Sequence, residues 1–280
     1  MKNRRLITMF AVSLILSFVL TGCLTPDPTR HYSSVVQYLY PDQPAAPQEP
    51  GVPLLSLPLN VGIAFVPEPK NQVPYLTEKE KLELMKELGG YFKKYDFVKR
   101  IEYIPSQYMV QDGGFTNMDQ VALMFGVDVI ALISYDQVQF TDRGVASITY
   151  WTLIGVYVVP GEKNTTHTML DAAVYDVRSR KMLFRAPGVS HIKGVATPVN
   201  ITEQLRIDMK LSFDEARVNL AANLDEQLDL FKDRVKQSPE EYKVVRKPGY
   251  TGAGSMDFLL ILPFVIVVIL ALRSLKGDAQ

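Results

Sequence analysis

The chain of 280 residues contains one cysteine and three histidines, and these scarcities exclude several classes of protein. A single cysteine cannot form an intramolecular disulfide, so the fold must depend on an ordinary hydrophobic core. A zinc site needs three or four ligands, and His31, His167 and His191 have no Cys, Asp or Glu at metal spacing. Lys plus Arg (30) equal Asp plus Glu (30), which argues against a nucleic-acid-binding surface.

The sequence also lacks the common catalytic motifs. It has no Gly-x-Ser-x-Gly, no Gly-rich phosphate loop ending in Lys-Ser/Thr and no His-Glu-x-x-His. Residues 112–114 (Asp-Gly-Gly) predict a helix entry rather than a phosphate cradle, since no Lys follows them. Residues 164–166 (Asn-Thr-Thr) resemble a glycosylation acceptor only in form and are interpreted as part of a turn. We therefore expect a protein that is not an enzyme and has no cofactor or metal.

The only cysteine, Cys23, ends a segment with the pattern of a bacterial lipoprotein precursor. Basic residues at 2–5 precede an apolar run at 6–20, and Leu-Thr-Gly-Cys occupies 20–23. Small residues before the cysteine suit signal peptidase II, and the thiol accepts diacylglycerol. We predict a signal peptide at 1–22, cleavage between Gly22 and Cys23, and lipidation of Cys23 by lipoprotein acyltransferases, palmitate included. Leu24 is not the Asp that favours inner-membrane retention, so the outer membrane is the expected destination.

The other end of the chain carries a second membrane signal. Residues 258–272 are almost all Leu, Ile, Val or Phe, and Arg273 and Lys276 follow them. Summed insertion free energies of these side chains are on the order of −4 to −7 kcal/mol, which favours entry into the bilayer. We predict a transmembrane helix at 256–273 and a basic cytoplasmic tail at 274–280, with the body of the protein outside the cytoplasm.

A chain with both anchors cannot reach the outer membrane until the C-terminal one is removed. The small-residue motif formed by Gly252, Ala253, Gly254 and Ser255 directly precedes the span. Glycine lowers the cost of leaving a helix by about 1 kcal/mol relative to alanine, which helps an intramembrane protease to expose a peptide bond. The order of motif, short span and basic residues resembles the GlyGly-CTERM signal that rhombosortases recognise.

Residues 31–41 (HYSSVVQYLYP), together with the two terminal signals, resemble the rhombotarget lipoprotein family. The resemblance implies an envelope protein of Gram-negative bacteria that is a rhombosortase substrate. The family implies no reaction and no ligand.

Between the anchors, the sequence predicts a leader, one domain and a linker. Residues 23–56 form a lipid-anchored leader whose proline-rich part, from Pro41 to Pro58, is interpreted as an extended tether. The Tyr-rich residues 32–40 are expected to dock on the protein's own domain, with a partner-binding patch as the alternative. The domain is predicted at 57–237 and the linker with the processing motif at 238–255.

The pattern of the domain predicts an α/β (α+β) fold: a mixed sheet with an antiparallel meander flanked by helices. Predicted strands are 61–66, 98–104, 127–134, 145–159, 168–177 and 182–186, with turns at 160–164 and 178–181. Thr77 with Glu80, and Ser212 with Glu215, are predicted capping boxes, and Asn117 is a predicted N-cap before a stop at Gly126. The arrangement is similar to that of envelope lipoproteins of the curli-pore type and to the amino-terminal domain of the Tol propeller protein, a likeness of architecture only.

Two functional hypotheses follow. The first is a non-enzymatic envelope lipoprotein, lipidated at Cys23 and processed by a rhombosortase, that presents a domain for binding or assembly with an envelope protein partner. The alternative is an oligomeric outer-membrane secretion component of curli-pore type, in which the hairpins at 145–177 pair between subunits or enter the membrane.

Overall fold

In a computed structural model of the chain, the described residues are 29–41, 51–70, 75–143, 162–196 and 200–250. The predicted signal peptide at 1–22, Cys23, the motif at 252–255, the span at 256–273 and the tail at 274–280 lie outside these ranges. Among the helices within the ranges, none combines the length and apolar character that a membrane crossing requires.

The described residues form strands and helices of very different lengths. The strands are β1 (Thr29–Tyr32), β2 (Leu54–Leu57), β3 (Leu59–Phe65), β4 (Val98–Ile104), β5 (Val129–Arg143), β6 (Glu162–Asp176), β7 (Met182–Ala196) and β8 (Lys243–Arg246). The helices are α1 (Val35–Leu39), α2 (Glu78–Phe92), α3 (Gly114–Phe125) and α4 (Ile201–Gln237), and a 3-10 turn covers Ser106–Tyr108.

The main sheet has the order β4-β3-β5-β6-β7, and β1 pairs with β5 beside it. β3 runs parallel to β4 and β5, whereas β5, β6 and β7 form an antiparallel meander. β2 and β8 make a separate two-stranded parallel ribbon. The predicted mixed sheet with an antiparallel meander and flanking helices is thereby confirmed.

Helices cover both faces of this sheet because its central strands are apolar on both sides. In β5, Val129, Ala131 and Ile133 belong to the core beneath α2 and α4. The alternate residues Ile130 and Leu132 belong to the core beneath α1 and α3. Strands buried on both faces read as continuous apolar runs, which is how this strand appears in the sequence.

Several local predictions are confirmed. Thr77 caps α2, its side chain accepting from the Glu80 N–H while the Glu80 carboxylate accepts from the Thr77 N–H. Gly126 ends α3 in the left-handed conformation, with φ of 64°. The turn at 178–181 joins β6 to β7, with Arg180 also at positive φ. Residues 112–114 are indeed a helix entry, since α3 begins at Gly114.

The predicted hairpin between 145–159 and 168–177 is wrong. β6 is paired along its length with β5 on one edge and with β7 on the other, so no edge is left for another strand. β6 also begins at Glu162, so residues 162–166 lie in a strand rather than in a turn. Residues 144–161 lie outside the described part of the chain.

Two predicted helix starts are also wrong. Asn117 lies inside α3, which starts at Gly114, and its buried side chain bonds across the fold instead of capping. α4 starts at Ile201, so Ser212 and Glu215 form no capping box. Ser212 is fully buried in the middle of the helix, where its hydroxyl contacts the sheet.

Residues 29–41, which we name the strap, pack against the domain as predicted for the Tyr-rich stretch. Tyr38 and Leu39 are 2% and 3% exposed. The tether interpretation of the proline-rich segment is wrong at residues 54–57, which form β2 and pair with β8, and residues 42–50 lie outside the described part of the chain. Packing also continues on both sides of 57–237, since β2 and β8 pair with each other.

Candidate functional site

The topology of the sheet identifies a first place to look for a site. The β3–α2–β4 and β4–α3–β5 connections lie on opposite faces of the sheet, and β3 lies between β4 and β5. In open sheets with parallel strands, ligands bind where such connections diverge, outside the carboxyl ends of the strands. Here that crevice lies beyond Phe65 of β3 and Ile133 of β5.

The strap fills this crevice. β1 pairs with β5 from Asp136 to Gln139, directly beyond the point where β3 ends. The Ser33 N–H donates to the Tyr135 carbonyl (2.6 Å), and the Tyr135 N–H donates to the Ser33 hydroxyl (3.1 Å). Arg30 binds both carboxylate oxygens of Asp136, at 2.9 and 2.6 Å. The place where this topology usually holds a ligand is thus occupied by the protein's own chain.

Buried aromatic side chains fix the strap on both faces. The Tyr38 hydroxyl donates to Asn117 Oδ1 (2.9 Å), and burial raises the pKa of Tyr38 well above its usual value. His31 contacts the ring of Tyr75, which stacks on Tyr135 with centroids 5.6 Å apart. Burial and nearby carboxylates raise the pKa of Tyr75 to about 12. Tyr38 and Tyr75 are therefore both neutral near neutral pH and unsuited to act as general bases.

A charge cluster, in which Lys81 and Glu68 are mostly buried and Glu78 is exposed, lies at the same end of the parallel strands. Lys81 Nζ lies 3.3 Å from Glu78 Oε1 and 3.9 Å from Glu68 Oε1. Burial raises the pKa of Glu68, although the Lys81 ammonium opposes this shift. We interpret the cluster as a structural ion pair that secures α2 to the segment after β3.

A second polar region separates α4 from the far half of the sheet. Gln137 Nε2 donates to Thr168 Oγ1 (2.7 Å) and to the Met209 carbonyl (2.9 Å). Two residues further along β5, Gln139 repeats these bonds with a threonine and a helix carbonyl, Thr166 Oγ1 (3.0 Å) and Leu205 O (3.1 Å). The repeat fits because two strand residues advance about 6.7 Å and four helical residues about 6 Å. We call each such set of bonds, from a β5 glutamine to a β6 threonine and a carbonyl of α4, a rung; each rung connects the sheet to the helix backbone.

The inner rung continues as a chain of hydroxyl groups. Tyr135 donates to Gln137, and the Gln137 amide donates to Thr168. Because the Ser212 hydroxyl donates its hydrogen to Ser190, the bond between Thr168 and Ser212 (2.7 Å) must be donated by Thr168. Ser212 donates to Ser190 (3.2 Å), and Ser190 donates to the Glu215 carboxylate (2.8 Å). Each group donates to the next one in the same direction, and the last one donates to a carboxylate. The serine and threonine hydroxyls in this series therefore each donate and accept a hydrogen bond.

One rung beyond Gln139, the polar layer is incompletely bonded. Asn164 is 1% exposed and Asp208 is 3% exposed. Among the residues that the structure describes, neither atom of the Asn164 amide has a hydrogen-bond partner, and neither does Asp208 Oδ2. Asp208 lies directly over Gly194, where a Cβ atom would come within 2.0 Å of its Oδ2. Gly194 pairs with Asn164 in the sheet. The glycine therefore provides the space that the buried carboxylate occupies.

A sizeable concavity lies at the opposite end of the sheet, where β5 begins. This cleft, of about 750 Å³, is bounded by β2, the end of α3 and the β6–β7 turn. Its lining residues are Gly51, Leu54, Ser56, Asp119, Ala122, Leu123, Gly126, Val127, Asp128, Asp176, Val177, Arg178, Ser179 and Arg180. Leu123 is 85% exposed beside it, an unusual exposure for a large apolar side chain at the edge of a concave surface.

The acidic groups of the cleft are already engaged. Asp119 binds Arg180 (2.8 Å), and Asp128 accepts from the Asn60 N–H (2.9 Å) and lies 3.4 Å from Lys247 Nζ. Asp176 is 3% exposed and accepts from the Ser179 N–H (2.8 Å), closing the turn. The exposed Arg178 has no ion-pair partner within the described ranges. The cleft therefore has one guanidinium available to an anionic group.

The histidines do not form a metal site where the structure describes the chain. In that part no cluster of three His, Cys, Asp or Glu side chains could hold a metal ion. His167 and His191 are a cross-strand pair on the outer face, with ring centroids 4.1 Å apart. His31 lies apart from them, against Tyr75.

The predicted site residues and the observed concavity do not overlap. Gly22, Cys23 and 252–255 lie outside the described ranges, so the structure brings none of them to a site. The cleft was not predicted, because it is made of a strand edge and turn residues that show no motif. Two sequence features could have pointed to the cleft: the turn at 178–181, which has three basic residues, and Gly126, which follows an apolar helix end.

Comparison with known proteins yields little. No family model matches the chain, and no curated protein matches it. Among solved structures, the chain is similar to the crystal structure of a neuraminyllactose-binding hemagglutinin homolog from Helicobacter pylori. The match has 8% sequence identity and a TM-score of 0.36, and it covers 70% of this chain and 96% of that one. At this level the likeness supports no conclusion about function.

Proposed function

We propose that the protein is a non-enzymatic lipoprotein of the bacterial envelope, lipidated at Cys23, whose domain binds a protein partner. The observation that carries this proposal is the strap: the residues that follow the lipidation motif are built into the sheet next to β5. A chain folded in this way holds its domain close to the bilayer and directs the cleft away from the lipid.

The length of the lipid tether follows from the docking of the strap. Thr29 lies opposite Gln139 of β5, near the far end of that strand. Residues 23–29 span at most about 21 Å when fully extended. The lipid would therefore hold the far end of the meander at the membrane surface, because the segment from Cys23 to Thr29 is shorter than the domain is long.

The C-terminal anchor leaves from the opposite end of the sheet. Lys247 donates to the Pro58 carbonyl (3.2 Å) and lies beside Asp128, which precedes β5. Residues 128 and 139 of an extended strand are about 36 Å apart, whereas residues 250–256 reach at most about 20 Å. With both anchors in one bilayer the sheet cannot stand upright and must tilt toward the membrane. Removal of the C-terminal anchor would allow the domain to stand upright on its lipid, with the cleft facing outward.

With this geometry, the proposed rhombosortase cleavage would change the orientation of the domain on the membrane. Cleavage near Gly252, Ala253, Gly254 and Ser255 would release the chain from the inner membrane and also free the end that carries the cleft. We propose the outer membrane as the destination of the mature form. The predicted partners are thus the bilayer, signal peptidase II, lipoprotein acyltransferases, a rhombosortase and an envelope protein.

Metabolic labelling and mass spectrometry test the two processing steps separately. Radiolabelled palmitate should enter the wild-type chain but not Cys23→Ala, and label in both would contradict lipidation. The mature protein from outer membranes should end near Gly254. An intact Lys276 in that material would contradict cleavage.

A distance measurement tests the change of orientation. Because Cys23 would be acylated, a cysteine introduced at Ser179 in the cleft or at the exposed Lys193 of β7 would be the only free thiol for a fluorophore. Quenching by a headgroup-labelled lipid should be strong at Lys193→Cys before and after processing. At Ser179→Cys it should be strong only when the variant Gly252→Leu/Gly254→Leu blocks cleavage. Equal quenching at Ser179→Cys in both forms would contradict the reorientation.

One observation favours the oligomeric outer-membrane component as a second candidate. β5 and β6 remain paired up to Arg143 and Glu162, and residues 144–161 between them include no Asp, Glu, Lys, Arg or His. A charge-free connection at the lipid-anchored end would suit contact with a bilayer or with other subunits. Light scattering of the detergent-solubilised full chain separates the two: a single copy supports the binding module, and a closed ring supports the pore type.

A further inference from the structure

The ribbon formed by β2 and β8 leaves one strand edge facing the cleft. The Lys243 N–H donates to the Pro53 carbonyl (2.9 Å), and the Lys247 N–H donates to the Leu57 carbonyl (2.8 Å). Backbone groups alternate along a strand, so the N–H and C=O groups of Leu54 and Ser56 point away from β8. Leu54 and Ser56 are the two β2 residues that line the cleft, and none of the described strands pairs with this edge.

From this edge we infer that the cleft binds an extended peptide segment by strand addition to β2, with an acidic group of the peptide on Arg178. The inference rests on the proposed binding role of the cleft and names the chemistry of its partner. A strand laid along β2 would complete the backbone hydrogen bonds of Leu54 and Ser56. Unpaired strand edges are templates for this kind of binding.

The walls of the cleft supply the side-chain contacts that strand addition needs for specificity. Opposite β2, the end of α3 presents Ala122 and the 85% exposed Leu123, and Val127 follows them. An apolar side chain of the peptide would cover Leu123. The acidic residues of the cleft are engaged by Arg180, by Lys247 and by the turn at Ser179, so Arg178 is the charge left to select the peptide.

The second edge of the same ribbon provides an internal comparison. The alternation that turns Ser56 toward the cleft turns Val244 of β8 away from β2, and all four residues of β8 are exposed. No described element faces that edge, and β8 carries Lys243 and Arg246, which oppose edge-to-edge pairing. Peptide binding is therefore expected at β2 and not at β8.

Selection from a phage-displayed random-peptide library, with the detergent-solubilised full chain as bait, tests the inference. Enriched peptides should be rich in β-branched residues and contain Asp or Glu. The leading sequence, made synthetically, should lose about tenfold in affinity when alternate backbone nitrogens are methylated, since each methyl group removes a hydrogen bond. No enrichment, or an affinity that methylation leaves unchanged, would overturn the inference.

Matched variants place the peptide on the protein. Ser56→Pro removes the N–H directed into the cleft, and Val244→Pro removes the corresponding N–H of the other edge. Affinity should fall about tenfold in Ser56→Pro and stay unchanged in Val244→Pro, with equal melting temperatures as the check on folding. Arg178→Gln should weaken binding about tenfold, and Arg178→Lys less. Equal effects of the two proline variants, or none from Arg178→Gln, would refute the assignment.

Hydrogen exchange gives a reading that needs no variant. The Leu54 and Ser56 amides should exchange rapidly in the free chain and slowly with the selected peptide. Slow exchange in the free chain would show that another part of the protein already covers the edge, which also refutes the inference. Palmitate labelling is independent of these results, so lipidation and peptide binding can fail separately.

Discussion

The two halves of α4 meet the same sheet through different chemistry. From Phe213 onward the helix buries apolar side chains against β6 and β7; these are Phe213, Ala216, Leu220, Ala221, Leu224, Leu228 and Phe231. Before Phe213 its buried residues are Asp208 and Ser212, which meet glutamine, threonine and serine side chains of the sheet. One helix thus joins an apolar core at the cleft end to a polar layer at the end where the strap begins.

The apolar half of α4 serves mainly stability, whereas the polar half serves mainly the specificity of packing. Burying apolar surface contributes roughly 25 cal/mol per Å², so the apolar half supplies most of the stability that α4 gives to the fold. Buried hydrogen bonds contribute only about 1 kcal/mol each in net terms, but an orphaned partner costs about 1–3 kcal/mol. The polar half therefore adds little stability while it fixes the register of α4 on the meander.

Truncation of a leucine in the apolar half should have the largest effect. Leu224 is fully buried, so Leu224→Ala loses transfer free energy and leaves a cavity. We expect a loss of about 2–5 kcal/mol in the free energy of unfolding, measured by urea titration of the full chain in detergent. Val218→Ala on the exposed side of α4 is the control and should change little. If Leu224→Ala lowers the free energy of unfolding by less than about 1 kcal/mol, the apolar half is not the main source of the stability that α4 provides.

Gly188→Ala tests the close approach of helix and sheet within the apolar half. A Cβ at Gly188 would meet the Ala216 carbonyl at 2.2 Å and the Leu220 nitrogen at 2.5 Å, both backbone atoms that cannot move independently. We expect overpacking to cost about 1–3 kcal/mol, seen as a lower melting temperature. Gly90→Ala is the matched control, because α2 has open space there and alanine should stabilise the helix by up to about 1 kcal/mol. Equal shifts in the two variants would contradict the contact.

A double-mutant cycle in the polar half comes next in size. Ser212→Ala leaves the Thr168 hydroxyl without an acceptor and Ser190 without a donor, at a cost of about 1–3 kcal/mol. Thr168→Val together with Ser212→Ala removes two linked members of the chain. The double variant should therefore cost clearly less than the sum of the two single variants. Additive losses would mean that the hydroxyl chain is not a connected network.

The boundary between the two halves is also where prediction from sequence fails. The sequence pattern predicts that β5 ends at Ser134, that β6 begins at Thr168 and that β7 ends at Ala186. In the structure β5 ends at Arg143, β6 begins at Glu162 and β7 ends at Ala196. α4 was expected to begin at Ser212 and begins at Ile201. Every one of these elements continues into the polar half.

The cause is physical. Hydrophobic periodicity marks the face of an element that packs against apolar partners. Where the inward residues are Gln137, Thr168 or Ser212, the same element reads as a turn or a surface. The apolar half, the Thr77 capping box and the Gly126 stop follow local rules and were therefore predictable. The cleft depends on how a strand edge, a helix end and a turn meet, which no local pattern encodes.

The smallest predicted effect lies on the outer face of the polar half, at the histidine pair. Partial burial, then His191 and Lys193, lower the pKa of His167 in the folded state. A histidine whose folded pKa lies below its unfolded value of about 6.5 costs no stability above that value and opposes folding as pH falls through it. His191→Gln removes one of these causes, so the variant should lose less thermal stability than wild type between pH 7.5 and pH 5.0. Lys193→Gln should act in the same direction and more weakly. A difference between variant and wild-type melting temperatures that is the same at both pH values would show that the two rings do not interact.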